Sequence, residues 1–134
     1  MINNNLTPDL FRVVDSNLNR LKEGIRVVED ILRYRDNNKE LSSKLKELRH
    51  LCQVKETIHL LKFRDTQNDV LRSSIKSELN RSGIESIIIA NFKRAQESAR
   101  VLEELYKLNN IEYSENFKYI RYELYNLEKK VLLV

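Results

Sequence analysis

The 134-residue chain is short of the residues that punctuate structure. It has one proline (Pro8), two glycines (Gly24, Gly83), one cysteine (Cys52) and no tryptophan. So few turn formers exclude an all-β fold, which needs many tight turns. No Gly-rich phosphate loop of either common spacing is present, so any bound phosphate must be held by side chains and helix N-termini. A single cysteine excludes an internal disulfide framework and a cysteine zinc site; the apolar neighbours of Cys52 point to a buried thiol. No run approaches the roughly 20 apolar residues of a membrane span, and Met1 to Leu10 lacks the apolar stretch of a signal peptide. Membrane association is therefore not expected, and a cytoplasmic location is the default.

What remains is helical. Thr7-Pro8-Asp9 reads as a helix start: a capping hydroxyl, a proline at the first helical position and a dipole-favoured acid. Leu18, Leu21, Ile25, Val28 and Leu32 then recur at spacings of three and four, within about 80° of arc. The expected elements are a first helix over 8–34, a turn at Arg35-Asp36-Asn37-Asn38 and a second helix over 39–62 with Leu41, Leu45, Leu48, Cys52 and Ile58 inward. A long polar connection over 63–83 follows, with one short helix near 74–80. A third helix over 84–108 ends at Asn109-Asn110. A fourth over 115–132 is capped by Ser114, with Phe117, Ile120, Leu124, Leu127 and Val131 inward. His59, near an apolar run, reads as a core histidine, and the tyrosines as core and rim.

An internal repeat dominates the pattern. Asn17, Arg20, Glu23, Arg26, Val27 and Glu29 are matched in order by Asn91, Arg94, Glu97, Arg100, Val101 and Glu103, all at an offset of 74. Leu48-Arg49-His50 is echoed by Ile120-Arg121-Tyr122 at an offset of 72. The expected fold is therefore all-α: a single-domain four-helix bundle of two pseudo-twofold-related helical hairpins, 8–62 and 84–132, joined by the polar loop.

Both copies follow Asn-x-x-Arg-x-x-Glu-x-x-Arg, a stripe that drifts about 60° per step and cannot all face one place. Part of it can be surface ion pairs such as Glu23–Arg26 and Glu97–Arg100, worth about 0.2–0.5 kcal/mol each. Asn17 and Asn91 are different, because Asn is a poor helix-interior residue and both sit at the margin of the apolar face. A polar cluster there must be mutually satisfied or hold a ligand, and the polar edges of the first and third helices could meet across the twofold. Gly24, mid-helix, costs about 1 kcal/mol against Ala and suggests close approach of a backbone or ligand.

The net charge is +4, and residues 39–64 carry all of it, with seven cations against three anions while the rest balances at 17 against 17. Such a segment suits an anionic ligand of modest size, or a solvated helix face. Two further readings compete with a phosphate-handling enzyme. One is a chorismate-mutase-like helical enzyme using Arg and Glu around a dianion. The other is a non-enzymatic module for nucleic acid or protein, which the balanced charge outside 39–64 disfavours for nucleic acid.

The stretch Asp15 to Asp30 resembles the signature of the monofunctional hydroxymethylpyrimidine-phosphate kinases, domains often fused ahead of a thiamine-phosphate synthase barrel. Leu48-Arg49-His50, Arg64-Asp65-Thr66-x-x-Asp69-Val70, Asn91 to Glu104 and Arg121-Tyr122 extend the resemblance over nearly the whole chain. Ser16 stands where Ala is usual and Leu71 where Gly is expected. The resemblance implies transfer of the ATP γ-phosphoryl to hydroxymethylpyrimidine phosphate with Mg²⁺, for thiamine biosynthesis. It also makes a thiamine-phosphate synthase a candidate partner and leaves a homodimer open. On this expectation Arg20, Arg94, Arg49 and Arg64 clamp phosphates. Asn17, Asn91, Glu23, Glu97, Arg26 and Arg100 contact substrate. Asp65 and Asp69, with Glu29 or Glu103, hold the metal, and residues 64–69 close over ATP.

Overall fold

In the computed structural model, which describes residues 6–133, the chain is all-helical, with no strand among those residues. The elements are α1 (Pro8–Asp30), a π-helical turn (Ile31–Arg35), α2 (Lys39–Leu51), α3 (Thr57–Phe63), α4 (Lys76–Leu79), α5 (Ile84–Tyr106) and α6 (Ile111–Leu132). α1 and α5 form the central pair; α2 and α3 pack on α1, and α6 packs on α5 and α2. No described helix is long and apolar enough to cross a membrane. Residues 1–5 of the expected leader-free start lie outside the described residues.

The apolar stripes do what their spacing dictates. Leu18, Leu21, Ile25, Val28 and Leu32 from α1 and its π-helical extension are buried. They share one core with Phe92, Ala95, Ala99 and Leu102 of α5 and Phe117, Ile120, Leu124 and Leu127 of α6. Gly24 lies where α5 comes closest: a Cβ there would stand 3.0 Å from the Asn91 carbonyl oxygen and 3.3 Å from Ala95 Cβ. The neighbour that glycine admits is thus a backbone, not a ligand.

Four expectations are corrected. The second helix is not continuous over 39–62, because the chain leaves helical geometry at Cys52 and resumes at Thr57. Side chains of α6 satisfy the backbone groups this break frees: the Lys55 amide donates to Tyr113 Oη (3.1 Å), and Asn116 Nδ2 donates to the Leu51 carbonyl (3.0 Å). The break turns Val54 and Leu60 into the core and leaves Ile58, expected inside, 76% exposed. His59 is exposed as well, its ring stacked on Phe11 at 6.2 Å. The last helix starts four residues early: Asn110, not Ser114, is its cap, accepting from the Tyr113 amide (3.2 Å). Asn38 caps α2 in the same way, accepting from the Leu41 amide (3.0 Å). The two caps are 72 residues apart, so the repeat itself carried that signal.

The change of offset from 74 to 72 also has a location. Nine positions separate Glu29 from Asn38, but only seven separate Glu103 from Asn110. The two extra residues fall in the π-helical turn and the short connection after it, where wider winding takes up added chain.

Candidate active site

The repeated glutamates sit in the scaffold. Glu29 is buried, and Arg49 donates to both its carboxylate oxygens at 2.7 and 3.2 Å. In the second copy Arg121 reaches the buried Glu103 at 3.0 Å through Nε, and Arg100 reaches it at 3.1 Å. Each pair ties the first helix of a hairpin to the second. Glu29 raises the pKa of Arg49, keeping the guanidinium charged. Arg49 and Glu29, expected as a phosphate clamp and a metal ligand, are thus bound to each other, and Glu103 is equally engaged.

A cavity of about 760 Å³ opens beside the N-terminal half of α1 under the segment that follows α3. Asn17, Arg20 and Glu23 come to it from α1, and Arg64, Asp65 and Asp69 from the loop. Asn91, Arg94 and Glu97 are not among its walls, so the two copies of the stripe do not converge on it. Arg94 and Glu97 are exposed. Arg26 pairs with Asp30 at 3.3 Å on the surface, and Arg100 with Glu103 and Glu104. Among the described residues no group of three or more His, Cys, Asp or Glu side chains is arranged to hold a metal ion. The four expected metal ligands are not brought together.

The cavity is assembled around an ion pair that the repeat does not contain. Asp15 is buried in α1, and Arg64, just past the end of α3, donates to both of its oxygens at 2.7 Å. Asp15 raises the pKa of Arg64 in turn. Arg12 Nη2 donates to the Asp65 carbonyl at 3.0 Å, holding the loop a second time. Within the loop, Asp65 accepts from the side chain and backbone amide of Asn68, which hold its carboxyl below the usual carboxylate range. Asp69 Oδ1 accepts from the Leu71 amide at 3.0 Å. Positive φ among the described residues occurs only at Asn37 and Gly83, so the loop closes in a conformation that Leu71 adopts without a glycine.

The two stripe asparagines are half spent. Asn17 Nδ2 donates to the Val13 carbonyl, and Asn91 Nδ2 to the Ile87 carbonyl, each at 2.9 Å. This local bonding explains how Asn is tolerated mid-helix. Asn17, at the cavity wall, thereby keeps its carbonyl oxygen and one N–H without a further hydrogen bond among the described residues. The sequence reading missed Asp15, Arg12 and Asn19 of the cavity wall. Asp15 had a signal: it lies three residues before Leu18, in register with the apolar stripe, and Ile89 occupies its place in the second copy.

A family model described as the ThiD2 family matches residues 12–130. The chain belongs to the ThiD2 family. Among relatives of this ThiD2 chain, a thiamine-phosphate synthase from Thermosynechococcus vestitus is 38% identical over 125 residues, covering 92% of the chain and 36% of the relative. Thiamine-phosphate synthases from Nostoc punctiforme and Synechocystis are 36% and 37% identical, again over 92% of the chain and 35% and 36% of theirs. The ThiD2 chain thus spans about a third of the length of the curated relatives it matches and is a member of a thiamine-biosynthesis family. No solved structure matches it.

Proposed function

We propose that this chain is a kinase that transfers the γ-phosphoryl group of ATP to the phosphate of hydroxymethylpyrimidine phosphate, giving the diphosphate used in thiamine biosynthesis. The observation that carries the reading, beside family membership, is the cavity between α1 and the 64–70 loop. At about 760 Å³ it suits a small ring with one phosphate. Arg20 lines it with no carboxylate partner among the described residues and is free to meet a phosphate. The Asn17 side-chain amide, which lines the cavity, would meet a polar edge of the ring.

The chemistry asks little of a base. The second pKa of a phosphate monoester is about 6, so the acceptor is ionised at neutral pH. One of its oxygens attacks the γ-phosphorus, the bond to the β,γ-bridging oxygen breaks and ADP departs with that electron pair. No proton need move. The obstacle is repulsion between two polyanions, which cations and positioning overcome. Asp65 and Asp69 would hold Mg²⁺, since one or two carboxylates with phosphate oxygens are its ordinary ligands. When bound, it would neutralise charge on the phosphates being joined. A thiamine-phosphate synthase, the name of the relatives, is the proposed partner.

The test is a coupled assay with ATP that compares the phosphorylated pyrimidine with its free alcohol. Turnover of the phosphate is expected, with little or none of the alcohol, whose hydroxyl would need a base. No turnover of either removes the proposal.

A further inference from the structure

A second cavity of about 370 Å³ adjoins the first, and Glu23 belongs to the walls of both. Their charges differ in sign. Five carboxylates line the first (Asp9, Asp15, Glu23, Asp65, Asp69) against three guanidiniums. The second is lined by Lys22, Arg26, Arg49 and His50 against Glu23 alone. Arg49 is held by Glu29, and Arg26 makes only an exposed contact with Asp30 that a stronger anion can displace. Lys22, half-buried, and His50, exposed, have no carboxylate partner among the described residues. Lys22 and Arg49 both bear electrostatically on the buried Cys52 sulfur at the cavity wall.

A nucleoside triphosphate is a poor match for the first cavity, whose own charge is negative, and a good match for its neighbour. We propose that the second cavity is the polyphosphate subsite of the nucleotide donor, with Lys22, Arg26 and His50 meeting its phosphate oxygens. This inference rests on the kinase reading. It adds that donor and acceptor occupy adjacent cavities along one face of α1, with Glu23 at the boundary. Without a Gly-rich loop the phosphates are held by side chains, and an ammonium and an imidazole serve as donors that can turn toward them.

The probe is inorganic tripolyphosphate, titrated calorimetrically into the full chain. The Lys22→Gln/His50→Gln double variant should bind it at least about tenfold more weakly, as loss of charge-assisted bonds predicts. It should bind the pyrimidine phosphate as the wild type does, and its thermal melt reports whether it is folded. In the wild type, the His50 ring resonances should shift as tripolyphosphate is added. Unchanged affinity in a folded double variant, or His50 resonances that stay still, overturns the subsite. If ATP turnover proceeds with an unaltered KM for ATP in the double variant, the subsite fails while the kinase reading stands. If tripolyphosphate binds through His50 but no pyrimidine phosphate is turned over, the kinase reading fails while the anion site stands.

Discussion

The two hairpins are alike in their buried ties and unlike where the cavity opens. Each has an asparagine cap on its second helix, a mid-helix Asn bonded to its own helix, and a buried Glu held by an Arg from the opposite helix. Only the N-terminal hairpin has a buried acid at position 15, where the other has Ile89, and only there does the second helix break to send a loop back over the first. Duplication supplied a stable frame, and departures from it opened a cavity. The buried Glu–Arg pairs shared by both copies are therefore structural, and the asymmetric Asp15–Arg64 contact opens a cavity beside only one copy of the stripe.

The sharpest way to break that comparison is to cut its shared part. Arg49→Ala leaves the buried Glu29 carboxylate unpaired, whereas Arg121→Ala leaves Glu103 only the half-exposed Arg100. The first should lose about 3–5 kcal/mol of stability in denaturant unfolding and the second about 2–4 kcal/mol. Losses differing by several kcal/mol would show that the halves do not bear equal load. Arg64→Ala has no counterpart in the second half. Its side chain is 40% exposed, so the loss should be smaller, about 1–2 kcal/mol, from the buried Asp15 it abandons. Gly24→Ala gains about 1 kcal/mol of helix propensity but drives a methyl against the Asn91 carbonyl, so a net loss of about 1 kcal/mol is expected. The smallest effect concerns Cys52, which stands where the second copy has Leu124. Burial pushes its thiol up from 9.0 to about 12. The folded chain keeps this proton where the unfolded chain loses it, so the stability it adds is complete below pH 9 and declines as pH rises toward 12. At pH 8 iodoacetamide should label the unfolded chain and spare the folded one.

Much of the frame was legible in the sequence, because apolar spacing and a 74-residue offset are local signals that packing obeys. The break after Leu51 was not, because the groups that stabilise it, Tyr113 and Asn116, lie about 60 residues away. Of the expected site residues, Asn17, Arg20 and Glu23 of the first copy line one cavity with Arg64, Asp65 and Asp69 of the loop, while Arg26 and Glu29 do not. The second copy was expected there too. Periodicity shows which residues are equivalent, but not whether equivalent residues on two helices meet at one cavity. Asp15 was overlooked because an acid within an apolar stripe reads as an interruption until its partner, Arg64, is seen.

The central claim is that function resides in one half of a duplicated frame, and kcat/KM for the pyrimidine phosphate in Arg20→Ala and Arg94→Ala tests it most directly. Arg20→Ala should fall about 10- to 100-fold, the worth of one charge-assisted phosphate contact, and Arg94→Ala should stay near wild type. Equal losses in the two variants would contradict the account.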